Sequence, residues 1–315
     1  MALRIVYFGT PGFAVPSLEA LLASGHTVVG VVTQPDRPRG RGQQVTAGPV
    51  KTVALSHGLP VLQPEKLVRD QFEAPFASLG ADLGVVAAYG KILPDWLLAT
   101  PRLGLINVHA SLLPLYRGAS PVHRAVIAGD PETGVTIMRV VKALDAGAMF
   151  STVRVPIGPD QTTDEVEAAL AHRGAELLIE TIDAMEAGRA SETPQDESAV
   201  TYAPKLAKAE GVIDWAWPAR RIHNLIRGLW PWPHAYSVVS GQRHILHRSR
   251  VSMRDTDAAP GTIIAASASE GVHVACGGGT AIELLDIQLE GKRVMSARDA
   301  LSARTLLVGA QFTAP

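Results

Sequence analysis

The chain has 315 residues, 47% of them hydrophobic and 19% charged, with a formal net charge of −1. That length holds two domains or one large one, and the balance excludes a disordered polyelectrolyte. A single cysteine, Cys276, excludes an intramolecular disulfide and a cysteine-rich zinc site, and the near-zero charge excludes a global field toward nucleic acid.

The opening run, Met1 to Phe8, passes directly into Gly9-Thr10-Pro11-Gly12. It is too short for a signal peptide or membrane span and reads as a first strand. No later stretch approaches about 20 uninterrupted apolar residues, so a cytoplasmic, membrane-free protein is expected. Further apolar runs follow at TVVGVVT, ADLGVVAAYG and LGLINVHA, rich in Val, Ile and Leu as parallel strands buried on both faces should be. Between the runs, helices are expected over Pro16 to Ser24, Val50 to His57 and Glu65 to Leu79. The alternation implies an α/β fold, a Rossmann-like parallel sheet wrapped by helices. The clearest helix lies in TTDEVEAALAHRGAELLIETIDAMEAG. Val166, Leu170, Leu177, Leu178, Ile182 and Met185 recur at helical spacing, and Gly188 is placed to end it.

After Gly188 the pattern breaks into polar residues and prolines, which read as a linker over 189–208. Residues 1–188 then form a catalytic domain and 209–315 a second one. The runs AYSVVS, HILHRSRV, GTIIAAS, GVHVACG and AIELLDIQL are short and β-like, as in a small barrel. Charge is uneven. Ser151 to Val200 holds eleven acidic residues and three Arg, whereas Lys205 to Arg250 holds eight Lys or Arg against Glu210 and Asp214. A local basic region of that kind can attract a polyanion or be a solvated face.

Several chemistries are poorly supported. The glycines of YFGTPGFAVPSL do not fit G-x-G-x-x-G, no P-loop appears, and no G-x-S-x-G elbow appears. His244 and His247, three apart on a strand, point to opposite faces and make a poor zinc pair. What remains is NVHASLLPLYRG, residues 107–118. Asn107 and His109 are two apart, so on a strand they share a face. Taken alone, the stretch also fits a capping Asn and a structurally satisfied His. Asp145 lies downstream at the end of another strand-like run, and strand carboxyl ends of an open α/β sheet gather at one crevice. An amide, an imidazole and a carboxylate meeting there suit acyl transfer without metal or covalent intermediate. The amide bonds a developing oxyanion, the imidazole manages a proton, and the carboxylate orients the imidazole.

Asn107-x-His109, the SLLP of Ser111 to Pro114, Arg117-Gly118 and Asp145 resemble the signature of the folate-dependent formyltransferases. FGTPGFAVPSLEALL, VVTQPDRPRGRGQ, AYGKILP, RIHNLIRGLWPWPHAY and LEGKRVMSARDAL are similar to the tRNA-acting branch of that family, and the similarity spans essentially the whole chain. The resemblance implies transfer of a formyl group from the co-substrate 10-formyltetrahydrofolate to the α-amine of initiator methionyl-tRNA. It implies catalysis by Asn107, His109 and Asp145, and no metal. It places the pterin against the backbone of Lys91, Ile92 and Leu93 and of Val141 to Leu144, with Ser111, Leu112, Leu113 and Pro114 as a neighbouring wall. It implies an OB-like second domain and a loop, QPDRPRGRGQQ, whose Arg37, Arg39 and Arg41 meet RNA. A monomer is expected. Trp215, Trp217, Trp230 and Trp232 are expected to pack rather than stack on bases, and His223 and Asn224 to serve structure.

Gln43, Gln44 and Leu115 stand where the family commonly has cations, and Ala146 and Ala148 depart from its usual pattern after the Asp. These bear on tRNA affinity more than on chemistry. The family also holds hydrolases of 10-formyltetrahydrofolate and formyltransferases acting on amino sugars of nucleotides. A hydrolase leaves the basic surfaces idle, and a sugar-nucleotide enzyme is expected to lack this second domain. A non-enzymatic RNA-binding protein has no need of Asn107, His109 and Asp145 together.

Overall fold

A computed structural model describes residues 2–39, 44–303 and 306–314. In chain order the elements are β1 (Arg4–Gly9), α1 (Val15–Ala23), β2 (Thr27–Val32), β3 (Pro38–Arg39), β4 (Gln44–Val45), α2 (Pro49–Ser56), β5 (Val61–Leu62) and α3 (Arg69–Ala77). Next come β6 (Leu83–Ala87), α4 (Asp95–Leu98), β7 (Leu105–His109), β8 (Arg117–Gly118), α5 (Pro121–Ala128), β9 (Glu132–Arg139) and β10 (Met149–Pro156). The remainder are α6 (Thr163–Glu186), β11 (Tyr202–Ala203), α7 (Ala219–Gly228), β12 (Ala235–Val239), β13 (Gln242–Val251), β14 (Ile263–Ser267), β15 (Gly271–Ala275), β16 (Ala281–Leu289) and β17 (Met295–Ser296). The chain divides into two compact units. One comprises Met1–Pro121, Thr133–Pro156 and Glu167–Ala203, the other Val122–Glu132, Ile157–Val166 and Pro204–Pro315.

The first unit is built on a seven-stranded sheet in the order β10-β9-β7-β6-β1-β2-β5. The strands from β7 to β5 in that order pair in parallel, as Val-rich runs between helices predict. The sheet is nevertheless mixed, because β9 pairs antiparallel to β7, with His109 opposite Thr136 and Ile106 opposite Arg139. Alternate residues of β1 bury on opposite faces. Phe8 meets Phe76 of α3 at 5.7 Å and Tyr89 at 5.5 Å between ring centroids, while the Tyr7 hydroxyl donates to the Ala14 carbonyl at 2.5 Å. Val6, Phe8, Val32, Phe72, Phe76, Leu97 and Leu105 form one continuous core. Each such side chain contributes about 1.5–3 kcal/mol on burial. Gly174 lets α6 approach closely, since a Cβ there would stand 3.1 Å from Val108 and 3.2 Å from Val135. The start of α6 carries a half capping box, Glu165 accepting from the Thr162 amide at 2.9 Å, and Gly188 sits past its end at φ 66°.

Residues 189–203 of the stretch expected as a linker belong to this first unit. Thr193 bridges Met149, and β11 pairs in parallel with β8.

The second unit carries α5, α7 and an antiparallel sheet in the order β12-β13-β16-β15-β14, with β17 added beside β16. Its two edges are joined through the C-terminal segment: Thr313 bridges Val238 of β12, and Gln311 bridges Thr262 beside β14. The C-terminal segment thus links the two edges of this antiparallel sheet. Ile222, Leu225 and Ile226 of α7 pack on Leu246, Val272, Ile282 and Ile287. Trp215 is buried there, donating to the Ser237 hydroxyl at 2.9 Å and stacking on Phe312 at 5.1 Å, whereas Trp232 is 45% exposed.

Candidate active site

Asn107 and His109 occupy the end of β7 and share one side of it by the two-residue period of a strand. His109 is buried, and its Nε2 lies 3.1 Å from the Tyr116 carbonyl. That carbonyl can only accept, so Nε2 carries the hydrogen and Nδ1 is left free to face Asp145. The Asp145 Oδ2 stands 3.7 Å from His109 Nδ1, so the two pair once Nδ1 takes a proton, and a small shift lets that proton pass between them. Asn107 is half-buried, and its carboxamide has no hydrogen-bond partner among the described residues. The carboxamide is thus free of side-chain and backbone partners among those residues and available to an incoming group.

Asp145 arrives by a different route from the one the sequence suggests. Because β9 is antiparallel, its own carboxyl end lies opposite Ile106, not His109. The loop from Val140 to Ala148 carries Asp145 back to the imidazole. Asp145 takes the left-handed conformation, φ 46°, which Asp tolerates better than most residues at a cost of order 1 kcal/mol. Its carboxylate accepts from the Gly118 amide at 2.8 Å. Its carbonyl accepts from Gln195 Nε2 at 2.7 Å, and the Gly147 carbonyl accepts from the same nitrogen at 2.8 Å. Gln195 Oε1 in turn accepts from Arg117 Nε at 3.0 Å and Nη2 at 2.8 Å. Arg117 is buried and paired with Glu197 at 2.7 Å, which raises the pKa of the guanidinium while Arg117 lowers that of the carboxylate. Gly118 is required at φ 125°, where a Cβ would stand 2.8 Å from the Ala203 carbonyl.

The proposed folate walls fall on two loops. Ser111 is wholly buried and its hydroxyl donates to the Leu115 carbonyl at 2.6 Å, so it shapes the turn rather than presenting itself. Leu113 is buried and its amide donates to Thr136 Oγ1 at 3.2 Å; Leu112 and Pro114 are half-buried. On the other loop, the Lys91 ammonium donates to the carbonyls of Pro64 at 2.6 Å and Glu65 at 2.9 Å, and burial lowers its pKa. Leu93 is buried, but Ile92 is 88% exposed, Leu144 60% and Val141 40%. Lys142 pairs with Asp95 at 3.2 Å, tying the Val141–Leu144 stretch to the Lys91–Leu93 side. Large aliphatic side chains left uncovered on adjoining loops suit an apolar ligand face.

Arg37 is exposed at the base of the β3–β4 ribbon, where Pro38 pairs with Val45 and Arg39 with Gln44. Arg41 and Gln43 lie outside the described residues, as do the side chains of Arg39 and Gln44. The ribbon's base is braced: Asp36 accepts from Lys51 at 2.5 Å, which lowers the Asp36 pKa, and Gln63 Nε2 donates to the Gln34 carbonyl at 3.0 Å. Gln34 then donates to the Tyr89 carbonyl at 2.8 Å, joining the ribbon to the Lys91 loop.

The second unit holds a cavity of about 350 Å³ lined by Asp160, Thr162, His223, Arg227, Arg248 and Arg250, among others. Arg248 pairs with Glu165 at 2.5 Å. His223 is buried, its Nδ1 3.0 Å from the Ser249 hydroxyl and its Nε2 2.8 Å from the Pro159 carbonyl, and Asn224 accepts from Arg227 at 2.9 Å. Both hold structure together, as expected. His247 does not pair in the β13–β16 ladder, because the register shifts between Leu246 and Arg248. A bulge of that kind places His244 and His247 both in the interior, 0% and 3% exposed. Gln195 is not legible in the sequence. It stands in a Pro- and acid-rich stretch with no periodicity, and nothing local marks it as 91% withdrawn from solvent, with 9% exposed.

The N-terminal model of the formyl transferase family matches residues 3–182, and its C-terminal domain model matches residues 205–305. A methionyl-tRNA formyltransferase of Symbiobacterium thermophilum is 49% identical over 314 residues, covering 99% of this chain and 96% of its own. One of Methylococcus capsulatus is 47% identical, covering 96% and 98%. Among solved structures, an N-formyltransferase from Helicobacter canadensis in complex with folinic acid and dTDP-3-aminofucose aligns at TM-score 0.68 and 16% identity, over 90% of this chain and 99% of that one. HypX from Aquifex aeolicus in complex with tetrahydrofolic acid aligns at 0.63 and 15%, over 96% and 47%. At those identities the structural likeness is one of fold. With both domain models matched in order and relatives near half-identical along the whole length, the chain belongs to the formyl transferase family, alongside its methionyl-tRNA formyltransferases.

Proposed function

We propose that this chain transfers the formyl group of 10-formyltetrahydrofolate to the α-amine of methionine on initiator tRNA, in the cytoplasm and as a monomer. The observation that carries the chemistry is the free Asn107 carboxamide beside the His109–Asp145 pair. The neutral amine attacks the formyl carbon; a free α-amine titrates at about 8, so enough is unprotonated near neutrality. A bond forms between the amine nitrogen and the formyl carbon while the carbonyl electrons move onto oxygen. Asn107 donates to that oxyanion. The proton leaving the amine passes by way of His109, Asp145 and water to N10 of the folate as the C–N10 bond breaks. The products are formylmethionyl-tRNA and tetrahydrofolate, with no metal required. Oxyanion donation of this kind is worth about 10²–10³ in rate and positioned proton transfer about 10²–10⁴.

In this reading the backbone of Lys91 to Leu93 and of Val141 to Leu144 satisfies the pterin's ring edge and the exposed Ile92, Val141 and Leu144 cover it, with Leu112 and Pro114 as the neighbouring wall and the buried Ser111 and Leu113 holding that wall's turn. Arg37, Arg39 and Arg41 contact the acceptor stem, and the basic stretch from Lys205 to Arg250 follows the RNA backbone. The catalytic part corresponds to residues 1–188 and the RNA-binding part to 209–315. The tests are formyl transfer from 10-formyltetrahydrofolate to charged initiator tRNA and, alongside, to elongator methionyl-tRNA. Selective formylation of the initiator is expected. Formate release without transfer to either tRNA would make the protein a hydrolase.

A further inference from the structure

We propose that Gln195 is a positioning residue for Asp145, clamping the strained turn that holds the carboxylate against His109. The proposal rests on the role given to Asp145 above. The Gln195 carboxamide sits between the Asp145–Gly147 turn and Arg117. Its nitrogen donates to the carbonyls of Asp145 at 2.7 Å and Gly147 at 2.8 Å, and its oxygen accepts from Arg117 at 2.8 and 3.0 Å. Among uncharged side chains of this length only Gln carries a donor end and an acceptor end together. The next residue after Arg117, Gly118, donates its amide to the Asp145 carboxylate at 2.8 Å. Asp145 is therefore gripped twice, at its carbonyl through Gln195 and Arg117 and at its carboxylate through Gly118. Arg117 is itself anchored by Glu197 at 2.7 Å. A residue at φ 46° keeps that conformation only while its surroundings over-determine it. Gly147, in the same turn, has no room for a Cβ against the Arg139 carbonyl, so the turn has little freedom to find another path. Misplacing a reacting group by about 1 Å can cost about 10²-fold, which sets the scale of the effect.

The test is Gln195→Glu, which keeps the acceptor for Arg117 and removes the donor to the two carbonyls. Steady-state formyl transfer to charged initiator tRNA is measured for the wild type, Gln195→Glu, Asp145→Asn and the double variant, together with melting temperature. We expect kcat to fall about 10- to 100-fold in Gln195→Glu, with KM for folate and tRNA within about threefold of wild type. The double variant is expected to be no slower than Asp145→Asn alone, since a residue acting through Asp145 has nothing left to position. Gln195→Met, similar in length and without either hydrogen-bonding end, supplies the comparison if Gln195→Glu does not fold. Normal kcat in Gln195→Glu beside a slow Asp145→Asn overturns the clamp alone. A fully active Asp145→Asn overturns the role of Asp145 and the clamp with it. Losses that multiply in the double variant assign Gln195 a general structural part and overturn the proposal.

Discussion

Replacing Asn107 by Ala isolates the oxyanion donor. The backbone of Asn107 pairs with Met138 on one side and Val86 on the other, and Ala leaves both ladders intact. The side chain is half-buried and has no partner among the described residues, so its removal strands no buried group. The stability change should stay within about 1 kcal/mol, as for substitutions that break no buried network. The rate is another matter. If the carboxamide meets the formyl oxygen only as charge develops, its loss removes about 2.7–4 kcal/mol of transition-state stabilisation, or about 10²–10³ in kcat. KM for folate should change little, because the ground-state carbonyl is bound less strongly than the oxyanion. The assay is steady-state transfer to charged initiator tRNA over a range of 10-formyltetrahydrofolate concentrations, with thermal melting as the control. A kcat within threefold of wild type, at unchanged melting temperature, would refute the role.

Three further outcomes follow from the geometry. Phe76→Ala empties a 2%-exposed site touching Phe8 and Phe72 and should cost about 3–5 kcal/mol in chemical denaturation; a loss under about 1 kcal/mol contradicts that core. Burial holds the pKa of His123 down to about 4 and those of His223, His234, His244 and His247 below the ordinary histidine range. The unfolded chain takes up those protons near about 6.5, so stability is present above that pH and is lost as pH falls toward 4. Melting temperature should drop between pH 7 and pH 5, less so in His244→Gln, and an unchanged profile tells against the buried neutral histidines. Arg37→Ala should leave kcat intact and reduce the slope of log affinity for tRNA against log salt by about 1; an unchanged slope removes Arg37 from the RNA contact.

Much of this architecture is legible in the residues because periodicity and punctuation agree. The long helix expected to end at Gly188 runs Thr163–Glu186, and the Val-rich runs become β1, β2, β6 and β7. The helix expected from Glu65 to Leu79 begins only at Arg69. The carbonyls of Pro64 and Glu65 are bound by Lys91, a contact from a loop far along the chain that no local pattern announces. The antiparallel β9 is hidden for a related reason. A strand buried on both faces reads the same in either direction, so TGVTIMR gives no sign of its sense. Asn107 and His109 are legible because a strand's two-residue period places them without tertiary knowledge. Asp145 is legible as a residue but not as a geometry, since a loop and a left-handed backbone deliver it. Gln195 is illegible, because an amide in a polar stretch reads as solvated until the fold folds that stretch under Arg117.

The most direct measurement is a crystal structure of the protein with a stable folate analogue that carries a formyl group. The formyl oxygen is expected within about 2.7–3.1 Å of Asn107 Nδ2, with His109 on the same side and the pterin against the Lys91–Leu93 and Val141–Leu144 backbone. A formyl group turned away from Asn107, or a pterin seated elsewhere, would contradict the proposed site.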